Sequence, residues 1–381
     1  MPGKLVCSSC ARCWHDAEPL WQCTCGGCLN LETPQIFDPS ELVRRPPSLW
    51  RYHESLGLED AGNRITFGEG LTPLVSCSLD GEVALLKLDF LGPTGSFKDR
   101  GTTIMMSKLK EWGTGKIVND SSGNAGASVA AYAAAAGIHA DIFIPAYTSL
   151  GKAAQIASYG ATLVKISGTR EDTADAAWAA AQNSFYASHN WSPHFIAGMK
   201  TLAYEIAEQT DWNPPDWVVA PVGGGSLFIG LGLGFADLYN HRIISHVPRL
   251  AAVQSECCAP VCGAWMAGSC DISPVEKRET AAEGISISAP VRAKEVLDAI
   301  YSSGGAAQVV SDTSIWQTLT VLGSRGFYVE PTSAAAVAGY LALRANGTIK
   351  RGDRVAIPLT GSGLKATDKI LVHSTHADSN S

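Results

Sequence analysis

Short apolar runs alternate with longer segments of helical period along most of this chain. Apolar runs at 84–90, 116–119, 140–145, 161–166, 217–222, 250–254 and 354–359 read as strands. Between them, segments 101–112, 124–136, 151–159, 171–183, 198–209, 226–238, 291–301, 312–324 and 332–344 read as helices. The Ala-rich segment at 124–136, with Val129 and Tyr132, suits close packing on a sheet. This alternation predicts α/β layers built on mostly parallel sheets. In such sheets ligands gather outside the carboxyl ends of strands, at helix N-termini. No internal repeat is visible, and the polar end from His373 to Ser381 is predicted to fray.

The first third of the chain reads differently. Residues 1–31 are a small cysteine-rich knuckle, and 32–75 a Pro-containing linker with Arg44-Arg45-Pro46-Pro47. Gly68-Glu69-Gly70-Leu71-Thr72-Pro73-Leu74 is a turn leading into the α/β body. At 381 residues the chain has room for two or three domains and a substantial core. A formal net charge of -7 gives no support to a general nucleic-acid binder. There is no apolar run of about 18 residues, so no membrane span is expected. The start, Met1-Pro2-Gly3-Lys4, runs into cysteines rather than an apolar signal segment, which predicts a soluble, cytoplasmic protein.

Four strand-to-helix junctions carry chemistry. In Leu91-Gly92-Pro93-Thr94-Gly95-Ser96-Phe97-Lys98-Asp99-Arg100-Gly101, Lys98 sits near a helix start. A partly buried lysine there is a usable amine, suited to a Schiff base with a carbonyl cofactor. Ser121-Ser122-Gly123-Asn124-Ala125-Gly126 opens the Ala-rich helix. Its backbone N–H groups and hydroxyls suit a carboxylate, and Asn124 a phenolic oxygen; local capping is the other reading. Pro221-Val222-Gly223-Gly224-Gly225-Ser226-Leu227 lets backbone N–H groups approach a phosphate, without the Gly-Lys-Ser/Thr ending of a P-loop. Pro358-Leu359-Thr360-Gly361-Ser362-Gly363-Leu364-Lys365 places a short hydroxyl, Thr360, where it could meet a neutral ring nitrogen. Glu330-Pro331-Thr332-Ser333-Ala334 reads mainly as a helix cap.

Of eleven cysteines, Cys7, Cys10, Cys13, Cys23, Cys25 and Cys28 crowd the first 28 residues. Cys7-x-x-Cys10 and Cys25-x-x-Cys28 have zinc-ribbon spacing, with Cys23 an alternative partner and Cys13 a further candidate. Four thiolates would close the coordination sphere, so such a zinc is structural rather than catalytic; metal-free thiols are the other reading.

In this order the motifs resemble the fold-type II pyridoxal-phosphate enzymes, and among these the threonine synthases. The resemblance rests on Gly68-Glu69-Gly70…Thr72-Pro73-Leu74, Pro93–Arg100, Ser121–Asn124, Gly198-Met199-Lys200-Thr201, Gly223–Ser226, Glu330–Ala334 and Thr360–Lys365. It implies two three-layer α/β domains with mostly parallel sheets, preceded by a zinc-ribbon-like knuckle at 1–31. Residues 32–101 and 199–381 would form the large cofactor-binding domain, and 102–198 a small mobile one. Lys98 would hold pyridoxal phosphate as a Schiff base and serve as mobile acid and base. Asn124 would contact the phenolic oxygen, Gly223, Gly224, Gly225, Ser226 and Leu227 the phosphate, and Thr360 the pyridine nitrogen. Ser121, Ser122 and Gly123 would receive the substrate carboxylate, with Ala125 and Lys200 also on the substrate. The implied reaction eliminates phosphate from O-phospho-L-homoserine and adds water at Cβ to give L-threonine, in a homodimer without nucleic-acid or membrane partners.

Two positions depart from that pattern. Ala125 stands where these enzymes often carry Thr, and Phe195 where they often carry Arg. An Arg–phosphate contact is charge-assisted, and losing one costs about 2–5 kcal/mol. His189, His194 and Lys200 are candidate substitutes, with ordinary packing the other reading of the histidines. The same departures motivate an alternative: β-elimination or β-replacement on a serine- or threonine-like amino acid in the same fold. A zinc-ribbon interaction protein with a degenerate body fits poorly with the intact Lys98, Asn124 and triple glycine.

Overall fold

The apolar runs fold as strands. A computed structural model describes residues 3–33 and 35–378. Its strands are β1 (Lys4–Cys7), β2 (Cys13–His15), β3 (Leu29–Glu32), β4 (Leu74–Leu79), β5 (Glu82–Lys87), β6 (Lys116–Asn119) and β7 (His139–Pro145). Then come β8 (Thr162–Ile166), β9 (Phe185–Tyr186), β10 (Trp217–Pro221), β11 (Arg249–Ser255), β12 (Ala306–Val310) and β13 (Val355–Pro358). The helices are α1 (Lys98–Glu111), α2 (Asn124–Ala136), α3 (Leu150–Ser158), α4 (Arg170–Ala180), α5 (Pro193–Glu208) and α6 (Ser226–Asn240). They continue with α7 (Pro260–Met266), α8 (Ala293–Ser302), α9 (Asp312–Ser324), α10 (Pro331–Ala345) and α11 (Thr367–Asp378).

Every expected strand and helix is present, with shifted ends. Two shifts matter. α1 begins at Lys98 itself, and α5 begins at Pro193, which draws Phe195 onto the helix. Proline suits a first helical turn, where its missing N–H has no intrahelical partner. β4 and β12 escape the pattern because β4 mixes Ser and Cys with Leu, and β12 opens on two alanines of low strand preference. α11 continues past His373, whose ring stacks on Trp316 at 4.0 Å; residues 379–381 lie outside the described residues.

The chain divides into two compact units, Met1–Leu71 with Lys98–Ala203, and Thr72–Phe97 with Tyr204–Ser381. The first holds an antiparallel knuckle sheet ordered β2-β1-β3 and a parallel sheet ordered β8-β7-β6-β9. Residues 32–71 therefore group with 98–203 rather than with the second unit, and packing explains why. Leu49, Trp50 and Leu56 cluster with Ile104 of α1. The Glu69 carboxylate accepts from Tyr132 Oη at 2.7 Å, Thr66 Oγ1 at 2.8 Å, Trp50 Nε1 at 3.2 Å and the Phe67 N–H at 2.8 Å. The Gly-Glu-Gly segment thus locks the lead-in to α2. The knuckle is tied down by Asp16, which meets Lys108 Nζ of α1 at 3.1 Å and His194 Nε2 of α5 at 2.9 Å.

The second unit is built on one sheet ordered β12-β11-β10-β13-β5-β4, parallel except for β4. Every residue of β10 and β13 is buried, so both sheet faces are covered, as parallel sheets require. Inside this unit Lys87 Nζ meets Glu205 Oε2 at 2.7 Å, both side chains fully buried, and also donates to Thr72 O and Gln209 Oε1. Stranding one charge of such a pair costs about 3–5 kcal/mol, whereas replacing both with apolar groups costs much less. Lys87→Met is therefore expected to lower the urea midpoint sharply, and Lys87→Met/Glu205→Met to recover most of the loss. Equal midpoints for the single and double variants would contradict this.

Candidate active site

Lys98 is the first residue of α1 and is half-buried. Its place is set by a close crossing of α1 and α5. A Cβ on Gly198 would lie 2.2 Å from Arg100 O, and one on Gly101 would lie 2.6 Å from the Phe195 ring. Only glycine permits either approach. Arg100 Nη1 adds a bond to Thr201 Oγ1 at 3.2 Å, and Asp99 accepts from Ser128 Oγ of α2 at 2.7 Å. The fully buried Phe195 ring lies beneath the Lys98 ammonium, 5.7 Å from Nζ to centroid. Phe195 therefore fills an apolar slot.

Ser121–Gly123 form the turn after β6. Asn119 holds it: its Oδ1 accepts from the Ser121 N–H at 2.9 Å, and its Nδ2 donates to Ala187 O at 2.7 Å. Gly123 is the N-cap of α2 and, having no side chain, makes no side-chain cap hydrogen bond. Gly126 is obligatory, since a Cβ there would overlap Ser121 O. Asn124 opens the helix and Ala125 is buried behind it, offering no polar atom.

The proposed phosphate substitutes separate on inspection. His194 is buried against Asp16 and stands edge-on to Trp112, so it belongs to the knuckle tie rather than to a substrate. Lys200 is buried on α5. His189 lies edge-on to Phe195 at 5.9 Å, with Nδ1 enclosed. Burial holds its pKa well below the ordinary histidine value, and the Lys98 and Arg170 charges push the same way. Sequence reasoning passed over Arg170. It opens α4 and binds Asp120 at 2.5 Å, a pairing across fifty residues of chain with no local signature.

In the second unit, β10 runs into Gly223-Gly224-Gly225. A Cβ on Gly223 would lie 2.8 Å from Gly284 O, and one on Gly225, at φ 92°, would lie 2.5 Å from Val296. Packing thus demands glycine at both. α6 begins at Ser226 with no side-chain cap, which leaves first-turn N–H groups for an anion. Thr360 is buried after β13. Ser333 of α10 fixes it, accepting from the Thr360 and Gly361 N–H groups at 2.9 and 3.0 Å. The Glu330–Ala334 motif is therefore a brace for the 360–361 turn. Thr360 O in turn accepts the Phe97 N–H at 2.9 Å, anchoring the residue before Lys98.

The knuckle gathers Cys7, Cys10, Cys23 and Cys25, whose sulfurs all lie within 4.8 Å of one another. Cys23 takes the place expected of Cys28. The Cys23 N–H donates to Gly27 O at 3.0 Å and the Gly26 N–H to Cys23 O at 2.8 Å, closing a turn that points Cys23 and Cys25 inward. Gly27 leaves room for Cys7 Sγ, while Cys28 feeds directly into β3. The Cys25 backbone N–H helps bring the Cys23 thiol down to about 6, while Cys25, despite a backbone hydrogen bond from Gly27, is pushed up to about 12 by its neighbouring thiols, so Cys23 gives up its proton more readily than Cys25.

The family model described as pyridoxal-phosphate dependent enzyme matches residues 65–361, which include Lys98, the first three glycine-rich junctions and the fourth as far as Gly361. The chain is 34% identical over 378 residues to a threonine synthase of Methanocaldococcus jannaschii, covering 96% of this chain and 93% of that one. A threonine synthase of Methanosarcina acetivorans is also 34% identical over 379 residues, with the same coverage. Among solved structures, maize serine racemase superposes with a TM-score of 0.68 at 23% identity, covering 81% of this chain and 93% of that one, a likeness of fold.

His189 gives the site a pH signature. The folded protein keeps it neutral, whereas the unfolded chain takes up a proton near pH 6.5. The unfolded state then binds more protons in acid, so stability falls as pH drops through about 6.5. His189→Asn is expected to shrink the fall in melting temperature between pH 7.5 and 5.5. An unchanged fall would remove His189 as its source.

Proposed function

Because this chain belongs to the threonine synthase family of pyridoxal-phosphate-dependent enzymes, we propose that it is a lyase converting O-phospho-L-homoserine and water to L-threonine and phosphate. The observation that carries this reading is the match to threonine synthases along nearly the whole chain. The residues present fit the cofactor. Three glycines, two of them closely packed, precede an uncapped helix start, a buried hydroxyl is braced at Thr360, and a half-buried amine opens α1.

When bound, pyridoxal phosphate supplies an electron sink for the electrons released as protons leave the substrate carbons. Lys98 would hold it, and its Nζ would carry protons to and from the substrate. The N–H groups of Gly223–Leu227 would bind its phosphate, Asn124 its phenolic oxygen, and Thr360 its ring nitrogen. Thr360 is uncharged, so it accepts or donates a hydrogen bond without fixing a full positive charge on the ring. Ser121 Oγ already accepts from the Gly123 N–H at 3.3 Å, which leaves its proton to donate to the substrate carboxylate. Ser122, Gly123 and the α2 N-terminus complete that carboxylate site, with Ala125 and Lys200 toward the rest of the substrate. The same family resemblance supports a cytoplasmic homodimer.

A second reading concerns the knuckle. Sulfurs around a tetrahedral zinc with 2.3 Å bonds lie about 3.8 Å apart. Cys7–Cys25 at 3.5 Å and Cys10–Cys23 at 3.8 Å match this spacing, so these four thiolates hold a structural zinc.

Two experiments test these assignments. The reconstituted enzyme is expected to absorb in the visible and to release phosphate from O-phospho-L-homoserine. Lys98→Ala is expected to lose the band and to lower turnover roughly 10³-fold or more. Formation of a 2-oxo acid from L-serine or an acyl-serine, with no phosphate released, would favour the alternative. For the knuckle, metal analysis is expected to find one zinc per chain, lost in Cys23→Ser and retained in Cys28→Ser; the reverse pattern would refute this ligand set.

A further inference from the structure

Phe195 stands where threonine synthases often carry an arginine, and its ring is packed against Gly101. Two other side chains offer nitrogen donors. Arg170 Nη1 and His189 Nδ1 are both enclosed, and neither has a hydrogen-bond partner among the described residues. Enclosed nitrogens of this kind are rarely left unpaired in a finished structure.

Both lie at one end of the parallel sheet. β6 and β9 pair Ile117 with Phe185 and Val118 with Tyr186. The ladder continues through the Ala187 N–H on Val118 O at 2.9 Å and Asn119 Nδ2 on Ala187 O at 2.7 Å. β6 and β9 are parallel, so His189 and the Ser121–Gly123 turn both follow the carboxyl ends of these strands. Arg170 reaches the same turn from α4 through its Nη2 bond to Asp120, the residue before Ser121. His189 and Lys98 flank the same Phe195 ring, at 5.9 and 5.7 Å from its centroid.

We infer that Arg170 and His189 form the subsite for the distal anionic group of the substrate, a phosphate monoester, replacing the cation absent at Phe195. This deepens the proposed function and rests on it. Asp120 pins one edge of the guanidinium, so that the other edge is presented in a fixed direction. His189 donates through Nδ1–H in the tautomer the anion selects.

The test uses the holoenzyme. Turnover of O-phospho-L-homoserine by the wild type first settles the function. Dissociation constants are then measured by calorimetry for O-phospho-L-homoserine, L-homoserine and inorganic phosphate. Arg170→Ala is expected to weaken the phosphorylated ligand and inorganic phosphate about 30-fold or more, and His189→Ala about 10-fold. L-homoserine affinity and the cofactor absorbance band are expected to stay unchanged. Asp120→Asn/Arg170→Ala removes the stranded carboxylate and should show the same selective loss, and Arg170→Lys should recover part of it. Equal losses for L-homoserine and its phosphate ester, or unchanged phosphate binding in the variants, would overturn the subsite. If the wild type does not turn over O-phospho-L-homoserine, the function falls, and inorganic phosphate still decides the subsite: selective loss in Arg170→Ala supports it, and no binding by the wild type overturns it.

Discussion

The crossing of α1 over α5 is the contact on which the first unit depends. Gly101 and Gly198 remove the two Cβ atoms that would hold these helices apart, and Phe195 fills the space that remains. Lys98 stands on the first turn of α1, so this crossing fixes where its amine emerges. Van der Waals contact is short-ranged, and one added methyl at either glycine would collide with backbone or ring. The choice of Phe at 195 is thus bound up with helix packing as well as with substrate.

The knuckle braces the same two helices. Asp16 bridges Lys108 of α1 and His194 of α5, and Leu5, Cys7, Cys23, Leu29 and Leu31 pack with Ala197. Two of the clustered cysteines are therefore part of the core that seats α5. A zinc there would do structural work for the lysine helix without taking part in chemistry.

The polar junctions share a different logic. α2 and α6 both begin after glycine and lack a side-chain cap, whereas α4 and α9 are capped by Thr169 and Ser311. Glycine at those two starts admits an anion close to backbone N–H groups that a Ser or Thr cap would otherwise occupy. Ser333 shows the complementary case: its hydroxyl braces the Thr360 turn from a distance of 27 residues.

Much was legible in the sequence because it is locally encoded. The strand–helix alternation, the glycine turns and the lysine junction are each short-range patterns, and the family resemblance follows from their order. Helix starts were misplaced by three residues at Lys98 and five at Pro193, since caps depend on what the preceding loop packs against. Cys23 could not be preferred to Cys28 from spacing alone, because a turn of two glycines decides which sulfurs converge. Likewise, Glu69 as a lock, His194 as a knuckle tie and Arg170 against Asp120 are pairings between distant segments. The sequence by itself determined the layers and the chemical groups available. Tertiary structure alone decided which of those groups meet, because proximity across fifty or more residues is set by sheet register and helix crossing, which no local pattern records.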